Sequence, residues 1–368
     1  MTVASLFWMT ADAHKPITSK YTFNEHVLPI FRERCVACHF DGGVAPMALD
    51  SYAEARPWAE SIRAELVSAH MPPAQAESGV APFRNARLLP PRELDVVLTW
   101  ATGGTPEGPA PTASAGATPM HAQWPLGRPD VVIALPSEVT LSPGVTERTE
   151  EFRLAAPALH GRAIRAIDLA PGTPAMVRRA IFSAVSARAA STDRRQADAV
   201  IDLWSPARDA TPADRNAAFW FPADAELVAR VTYRKTWKYE NAALTDRSAL
   251  GIYFAEPSSA DRRIAAIPVA GSRTIDEDVQ AVAIRSEITG DNVDRIDKFD
   301  KFDRFDKFDR AGDARADVVM PDGSRALLVR FVAQREWPQR FWFARPVDLP
   351  RGTRIESSRP LVLDVVRK

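Results

Sequence analysis

The sequence predicts a multidomain protein in which a small all-α domain precedes an all-β unit. Three observations predict this fold class. In the first hundred or so residues, apolar side chains recur at helical spacing between helix-capping patterns. A stretch rich in Pro, Gly, Ala, Ser and Thr follows. From Trp124 onward, short apolar runs are separated by Pro and Gly, and several alternate with polar residues, which is typical of antiparallel sandwiches.

These changes of pattern divide the 368 residues into five segments. Residues 1–18 are an N-terminal tail or clipped export signal, 19–108 the helical domain, and 109–123 a linker. Residues 124–262 form a first predicted β-sandwich and 263–368 a second. The linker favours two separately folded units.

The helical domain has clear start and stop signals. Capping-box patterns at residues 22–25 and 51–54 each open a helix, and Pro57 restarts the second. Pro90-Pro91 opens a third helix, which Gly103-Gly104 ends. The third helix is expected to turn inward the face made by Leu94, Val97, Leu98 and Ala101.

The strands of the β-unit are predicted from short runs. They are residues 130–135, 163–169, 226–233, 250–254, 326–332, 340–343 and 361–366, with a tight turn at 321–323.

Charge and hydropathy exclude several function classes. Lys plus Arg and Asp plus Glu both number 47, so there is no bulk basic field for nucleic acid. After the N-terminus, no segment approaches the roughly 20 apolar residues that span a membrane. We therefore expect no nucleic-acid partner and no integral membrane segment.

The only two cysteines, Cys35 and Cys38, are followed directly by His39. This Cys-x-x-Cys-His spacing is typical of covalent c-type haem attachment: two thiols bond the porphyrin and the histidine is the proximal iron ligand. A zinc site would need two more ligands, and a redox dithiol expects a βαβ setting. Two incidental core cysteines are the remaining alternative. The sequence thus predicts one covalent haem c.

A low-spin haem needs a second axial ligand, and methionine suits electron transfer. Met71 is the expected distal ligand, because proline fixes the backbone next to it. Met47 and the adjacent His70 are the alternatives, and each methionine could also be ordinary core filler.

Covalent haem attachment normally occurs outside the cytoplasm. Ala11-Asp12-Ala13 resembles a signal-peptidase site, although the preceding apolar run is short and lacks a positive charge. We expect an exported, periplasmic protein with a clipped signal; a simple apolar tail is the alternative.

The motifs resemble a known pairing of domains over most of residues 20–355. Residues 27–39, 43–52, 71–73 and 100–108 are similar to the cytochrome c module that precedes bacterial members of the copper type II, ascorbate-dependent (peptidylglycine monooxygenase-like) monooxygenase family. Residues 168–174, 245–255, 320–324 and 346–354 are similar to the monooxygenase unit, two jelly-roll-like sandwiches. The resemblance implies that Met71 is the distal ligand.

The sequence departs from that family where copper would bind. The family's His-His pair and its two His-x-His stations correspond here to Arg178-Arg179, Thr232-Tyr233-Arg234 and Arg285-Ser286-Glu287. Copper of this kind requires imidazole and thioether ligands, and arginine presents only donors. No histidine follows His160. We therefore expect no copper and a non-catalytic β-unit.

Two further features stay open at this stage. Arg178 and Arg179, with Arg234 and Arg285, raise an anion-binding hypothesis, and the simpler interpretation is solvated surface charge. The predicted insertion at residues 291–312 contains, over residues 294–310, a repeated basic–apolar–acidic triplet built on Lys-Phe-Asp. It is either a partner-binding or membrane-surface arm, or a repeat-expanded loop insertion.

The sequence favours a haem c electron-transfer protein that exchanges electrons with redox partner proteins, its β-unit serving as scaffold or docking module. Alternatives are a monooxygenase-like oxidoreductase fed by the haem, and a haem-based sensor of small ligands.

Overall fold

The computed structural model describes residues 18–73, 75–84, 86–110, 123–186, 198–206, 217–256, 262–287, 313–332 and 337–368. Strands account for 42% of the chain, and the predicted all-β character of the region after Trp124 is confirmed. Most of the predicted tail and linker, and the whole 291–312 segment, lie outside the described residues. In the part of the chain described, no helix is long and apolar enough to cross a membrane.

The helical region begins with a π-helical turn at Phe23–Val27. Four helices follow: α1 Leu28–Arg34, α2 Tyr52–Ala55, α3 Ala59–Val67 and α4 Pro91–Thr102. Ser51 caps α2 by accepting a hydrogen bond from the backbone N–H of Glu54 at 3.4 Å, as the capping box predicts. Pro91 is the first residue of α4, and Gly103 follows its last.

Aromatic rings form the core of this region. Phe23, Phe31 and Trp100 are each at most 1% exposed, and the Phe23 ring lies 6.0 Å from Phe31 and 5.6 Å from Trp100. The indole N–H of Trp100 donates to the carbonyl of Pro106 at 3.2 Å, so the buried ring keeps a polar partner. The side chains of Cys35 and Met47 pack against the edge of this core.

The β-unit contains strands β2 to β19, and β1 comes from the helical region. The strands are β1 Ala76–Glu77, β2 Val131–Ala134, β3 Val139–Leu141, β4 Glu147–Leu154, β5 Arg162–Ala170, β6 Val177–Ser186, β7 Asp198–Trp204, β8 Phe219–Phe221, β9 Ala225–Arg234, β10 Leu244–Asp246, β11 Ala249–Phe254, β12 Ala265–Val269, β13 Ser272–Thr274, β14 Val279–Ser286, β15 Asp313–Val319, β16 Arg325–Val332, β17 Arg340–Leu349, β18 Arg354–Ser357 and β19 Leu361–Arg367. Each run predicted as a strand is a strand. The turn predicted at residues 321–323 joins β15 to β16.

The strands form two sandwich-like pairs of sheets. In the first pair, the order β2–β11–β5–β8 faces the order β4–β9–β6–β7, with a small β3–β10 ladder beside them. In the second pair, β12–β19–β14–β17 faces β1–β16–β15–β18–β13. Ile167 and Phe182 share one apolar core between the first two sheets, and Val318 and Leu363 share another between the second two. Trp342 and Val366 extend from the second pair into the first core.

Strand β1 joins the helical region to the second sandwich. Ala76 pairs with Phe331 of β16, and Gly79 donates its backbone N–H to the carbonyl of Leu327 at 2.9 Å. Farther along, the Phe83 ring stacks on Phe343 at 4.8 Å. The stretch between α3 and α4 is therefore built into a β-sheet of the other unit.

A buried ion network ties the two sandwiches together. Arg340, 4% exposed, donates through Nε to Asp364 at 2.7 Å. Its two terminal nitrogens donate to the backbone carbonyls of Ile201 and Val200 on β7 at 2.7 and 3.0 Å. Arg285 lies 3.8 Å from the same Asp364 carboxylate. Buried charges persist when they are paired and hydrogen-bonded, and here the partners come from both sandwiches.

We predict that Arg340→Ala destabilises the protein by about 3–5 kcal/mol, because it leaves the buried Asp364 carboxylate without its shortest ion pair. Urea unfolding followed by circular dichroism measures the change. Arg367→Ala is the matched control, since Arg367 pairs with Glu277 at the surface and its side chain is 78% exposed. A loss no larger than that of the control would contradict a structural role for the network.

Candidate functional site

The Cys-x-x-Cys-His motif is wound as a turn that continues α1. The backbone N–H of Cys35 donates to Phe31 at 2.8 Å. The carbonyl of Cys35 then accepts from the N–H groups of both Cys38, at 3.1 Å, and His39, at 3.0 Å. One turn of backbone therefore carries both thiols and the imidazole, which is the arrangement that the sequence spacing predicts.

The tautomer of His39 follows from its hydrogen bond. Its Nδ1 lies 3.2 Å from the backbone carbonyl oxygen of Met47. A carbonyl oxygen can only accept, so Nδ1 carries the proton and donates. Burial lowers the pKa of His39, and the bond to Met47 opposes that shift only in part. The ring is neutral at pH 7, and Nε2 keeps the lone pair that binds a metal.

Both thiols are free and poorly hydrated. Cys38 is 8% exposed, and neither cysteine is in a disulfide. Burial raises the pKa of Cys35 to about 12, with the nearby Cys38 adding to the rise and Arg87 opposing it. Burial likewise raises the pKa of Cys38 to about 11, against the positive charges of Arg87 and Arg178. At neutral pH both groups are therefore thiols, not the thiolates that bind metals or attack disulfides.

The loop after His39 folds back onto the motif. The backbone N–H of Ala45 donates to Cys38 at 3.2 Å, and that of Leu49 donates to His39 at 2.9 Å. Gly43 makes this return possible, because a methyl group in its place would lie 2.6 Å from the Cys38 carbonyl oxygen. The loop thus delivers the carbonyl of Met47 to His39.

The three candidate distal ligands occupy different surroundings. Met71 is half-buried on the loop that follows α3, and the side-chain amide of Gln75 donates to the carbonyls of Met71 and Pro72 at 3.2 and 3.1 Å. His70 is also half-buried, and its Nδ1 lies 3.1 Å from the Ser68 hydroxyl oxygen and 3.5 Å from a carboxylate oxygen of Glu65. Met47 is the candidate that the described contacts bring to His39, through its backbone.

The β-unit contributes residues that sequence analysis missed. Trp337, which lies just before β17, packs against Cys38 and Val44. The guanidinium of Arg178 lies over the Trp337 ring, 5.0 Å from its centre. No local signal could have identified Trp337, since its role depends on a contact between distant parts of the chain. Arg178 was singled out, but for a different site.

Two more contacts join the same faces of the two regions. Lys238 pairs with Asp41 at 2.7 Å, and the rings of Trp58 and Trp237 lie 6.5 Å apart. Asp41 follows His39 by two residues and Trp58 lies between α2 and α3, whereas Trp237 and Lys238 both follow the end of β9. The β-unit therefore forms one side of the site.

The four arginines of the anion hypothesis have separate protein contacts. Arg179 donates to the Thr232 hydroxyl at 3.2 Å, Arg234 lies 3.5 Å from Glu147, and Arg285 pairs with Asp364. The interpretation as solvated surface charge is wrong for Arg179 and Arg285, which are 5% and 4% exposed. Burial lowers the pKa of Arg285 to about 10, against the attraction of Asp364.

Only some of the positions where the resemblance would place copper ligands lie near one another in the fold. Arg179 and Thr232 are cross-strand neighbours on β6 and β9, whereas Arg285 lies on β14 of the other sandwich. Among the described residues, no group of three or more His, Cys, Asp and Glu side chains could hold a metal ion.

Comparison with known protein families finds no family model that matches this chain. Comparison with curated proteins also finds no match.

We predict that Gly43→Ala destabilises the protein by about 1–3 kcal/mol, because the added methyl group forces apart the Cys38 backbone and the loop that returns to it. Urea unfolding measures the change. The control is Gly79→Ala, where the new methyl group would meet Leu327 at 3.4 Å. Equal effects of the two substitutions would contradict the close approach at Gly43.

Proposed function

We propose that this protein is a c-type cytochrome that carries single electrons on one covalently bound haem. The observation that supports the proposal most directly is the His39 imidazole. Its Nδ1 proton is bonded to the Met47 carbonyl, so its lone pair is on Nε2, and it shares a turn with two thiols.

The residues present fit this group. Cys35 and Cys38 would hold it through two thioether bonds, and His39 Nε2 would be its proximal iron ligand. Once bound, the haem supplies a reversible one-electron couple. The raised pKa values of both thiols argue against a redox dithiol, which needs a thiolate. A zinc site needs four ligands, and the described residues contain no group of three or more His, Cys, Asp and Glu side chains that could hold a metal ion.

The Met71 side chain is the proposed distal ligand. Met47 is unsuited to that role because its carbonyl bonds Nδ1, which faces away from an iron bound at Nε2, so Met47 belongs to the proximal side. His70 directs Nδ1 to Ser68 and Glu65 near the surface. Met71 is half-buried on a loop whose carbonyls the Gln75 amide holds, and methionine raises the reduction potential.

The β-unit is proposed to support this site and to present it to redox partner proteins. Its paired antiparallel sheets are compatible with jelly-roll-like sandwiches divided near residue 262, because the ladders of residues 131–254 and 265–367 are separate. The positions where the monooxygenase-like family has histidines hold no histidine here, which argues against a copper catalyst; they are Arg178, Arg179, Thr232, Arg234, Arg285 and Glu287. Export to the periplasm follows from covalent haem attachment and stays part of the proposal.

We predict one covalent haem for each chain when the protein is produced in a bacterial host that exports it and matures c-type cytochromes. A pyridine haemochrome spectrum and intact-mass measurement, with iron and copper analysis, test this. Cys35→Ser should leave a single thioether and shift the haemochrome band, and the double Cys35→Ser/Cys38→Ser variant should retain no covalent haem.

The matched control is His160→Gln, which alters an exposed histidine of the β-unit and should leave the spectrum unchanged, whereas His39→Gln should abolish the low-spin spectrum. Iron-free protein from such a host would refute the proposal. Stoichiometric copper would overturn it in favour of the monooxygenase-like alternative.

We predict that Met71→Ala converts the haem to a high-spin form that binds carbon monoxide and has a lower reduction potential, because the distal thioether is lost. Optical spectroscopy with and without carbon monoxide, and a redox titration, measure these changes. Met47→Ala and His70→Ala are the matched controls and should stay low-spin.

Loss of the low-spin spectrum in His70→Ala, with Met71→Ala unaffected, would reassign the distal ligand. A wild-type protein that is already high-spin and binds carbon monoxide would favour the sensor alternative instead.

A further inference from the structure

The contact between Cys38 and Trp337 places the β-unit against the edge of the haem-attachment turn. Cys38 is 8% exposed and Val44 is 2% exposed, and Trp337 is the partly buried apolar residue that packs on them. The tryptophan comes from the segment that leads into β17, so the shielding of Cys38 depends on the β-unit.

Two features fix Trp337 in this position. Arg340, three residues farther on, is bonded to Asp364 and to carbonyls of β7, which anchors the start of β17. The Arg178 guanidinium lies over the Trp337 indole, 5.0 Å from the ring centre. A cation over an aromatic face is an attractive arrangement, and tryptophan is the strongest partner for it.

The backbone explains why Arg178 points there while Arg179 is buried. Val177 pairs with Tyr233 and Arg179 pairs with Thr232, so Arg178 is the extra residue of a β-bulge. A bulge re-aims a side chain that regular alternation would place elsewhere. Arg179 turns inward to Thr232, and Arg178 turns toward Trp337 and the Cys turn.

The positive charge of Arg178 lies close to the turn that carries Cys38. Its guanidinium lies over the Trp337 ring, and Trp337 packs on Cys38, so a single side chain separates the cation from this cysteine. Positive charges this close to a buried site interact with it strongly, since little water screens them. A haem on this turn has a more positive iron when oxidised, so neighbouring cations favour its reduced form.

We propose that the β-unit covers one side of the redox site. Trp337, held by Arg178, closes the Cys38 edge to water, and the positive charge of Arg178 raises the reduction potential of the haem. The inference rests on the proposed function for its electrochemical part. The closure of the Cys38 edge is a property of the chain itself. Trp337 and Arg178 are thus positioning and tuning residues, with no part in holding the haem.

The closure is tested without haem, in full-length protein with reduced thiols. Cys38 alkylation by iodoacetamide is followed by peptide mass spectrometry. Trp337→Ala should accelerate alkylation several-fold over wild type, and Trp220→Ala, which removes an indole of β8 that Arg263 likewise covers, should not. Equal Cys38 alkylation rates in Trp337→Ala and wild type would contradict the proposed cover. Cys38 of folded wild type that reacts as fast as in protein unfolded by guanidinium chloride would contradict it too.

The electrochemical part is tested by redox titration of the haem-loaded protein. Arg178→Gln and Trp337→Ala should both lower the reduction potential, the first by removing a cation and the second by admitting water. Arg263→Gln is the matched control, because Arg263 also lies over an indole ring, that of Trp220 at 3.8 Å. An Arg178→Gln potential equal to that of the control would overturn the tuning role.

The alkylation and redox experiments also distinguish a failure of the proposed function from a failure of the proposed cover over Cys38. If no covalent haem forms, the proposed function fails, while the alkylation rates still decide whether Trp337 covers Cys38. If haem is present and Cys38 is open in wild type, the cytochrome stands and the proposed cover does not.

Discussion

The buried guanidinium of Arg340 is the constraint on which the arrangement of the β-unit depends. Removing such a charge from water costs several kcal/mol unless every donor finds an acceptor. Asp364 of β19 and two carbonyls of β7 provide those acceptors, and they belong to different sandwiches. The two sandwiches cannot separate without exposing an incomplete ion network. The start of β17, and Trp337 just before it, are held by the same bonds.

The helical region is joined to this framework through backbone as well as side chains. Ala76 adds to the edge of a five-stranded sheet by pairing with Phe331, and Phe83 stacks on Phe343. A strand that completes another unit's sheet removes an exposed edge and fixes register on both sides. The redox site that we propose therefore lies between two regions whose relative position is set by hydrogen bonds. The sequence favoured two separately folded units joined by a linker, and in the structure the two units share a β-sheet.

Local signals predicted well those features that depend on neighbouring residues. Ser51 caps α2, and the Pro90-Pro91 pair marks the start of α4, because each effect acts within a few residues. The inward face of α4 was predicted less well. Val96 and Trp100 are buried there, whereas Leu94 and Leu98 are half-buried. Helical periodicity gives the width of an apolar face, but the packing partner decides where its centre lies.

Long-range contacts were beyond the reach of the sequence. The sequence alone does not distinguish a solvated arginine from a buried one. Arg179 and Arg285 are recognised as buried because the structure places Thr232 and Asp364 beside them. Likewise, nothing near Trp337 or Met47 in the sequence indicates that they contact Cys38 and His39. Those contacts depend on strand register and on the loop return at Gly43.

The bulge at Arg178 connects the fold of the β-unit with the proposed electron site. The family resemblance proposed from the sequence would place a histidine at this position, and histidine can bind a metal and accept a proton. Arginine does neither, because it stays protonated and offers only donors. A permanent cation at this point cannot relay electrons through a second metal, but it can bias the charge state of a neighbour a few ångströms away. The placement of Arg178 over Trp337 beside Cys38 is the geometry that such a bias requires. The proposed function thus gives Arg178 a part in setting the potential of the one redox centre proposed for this chain.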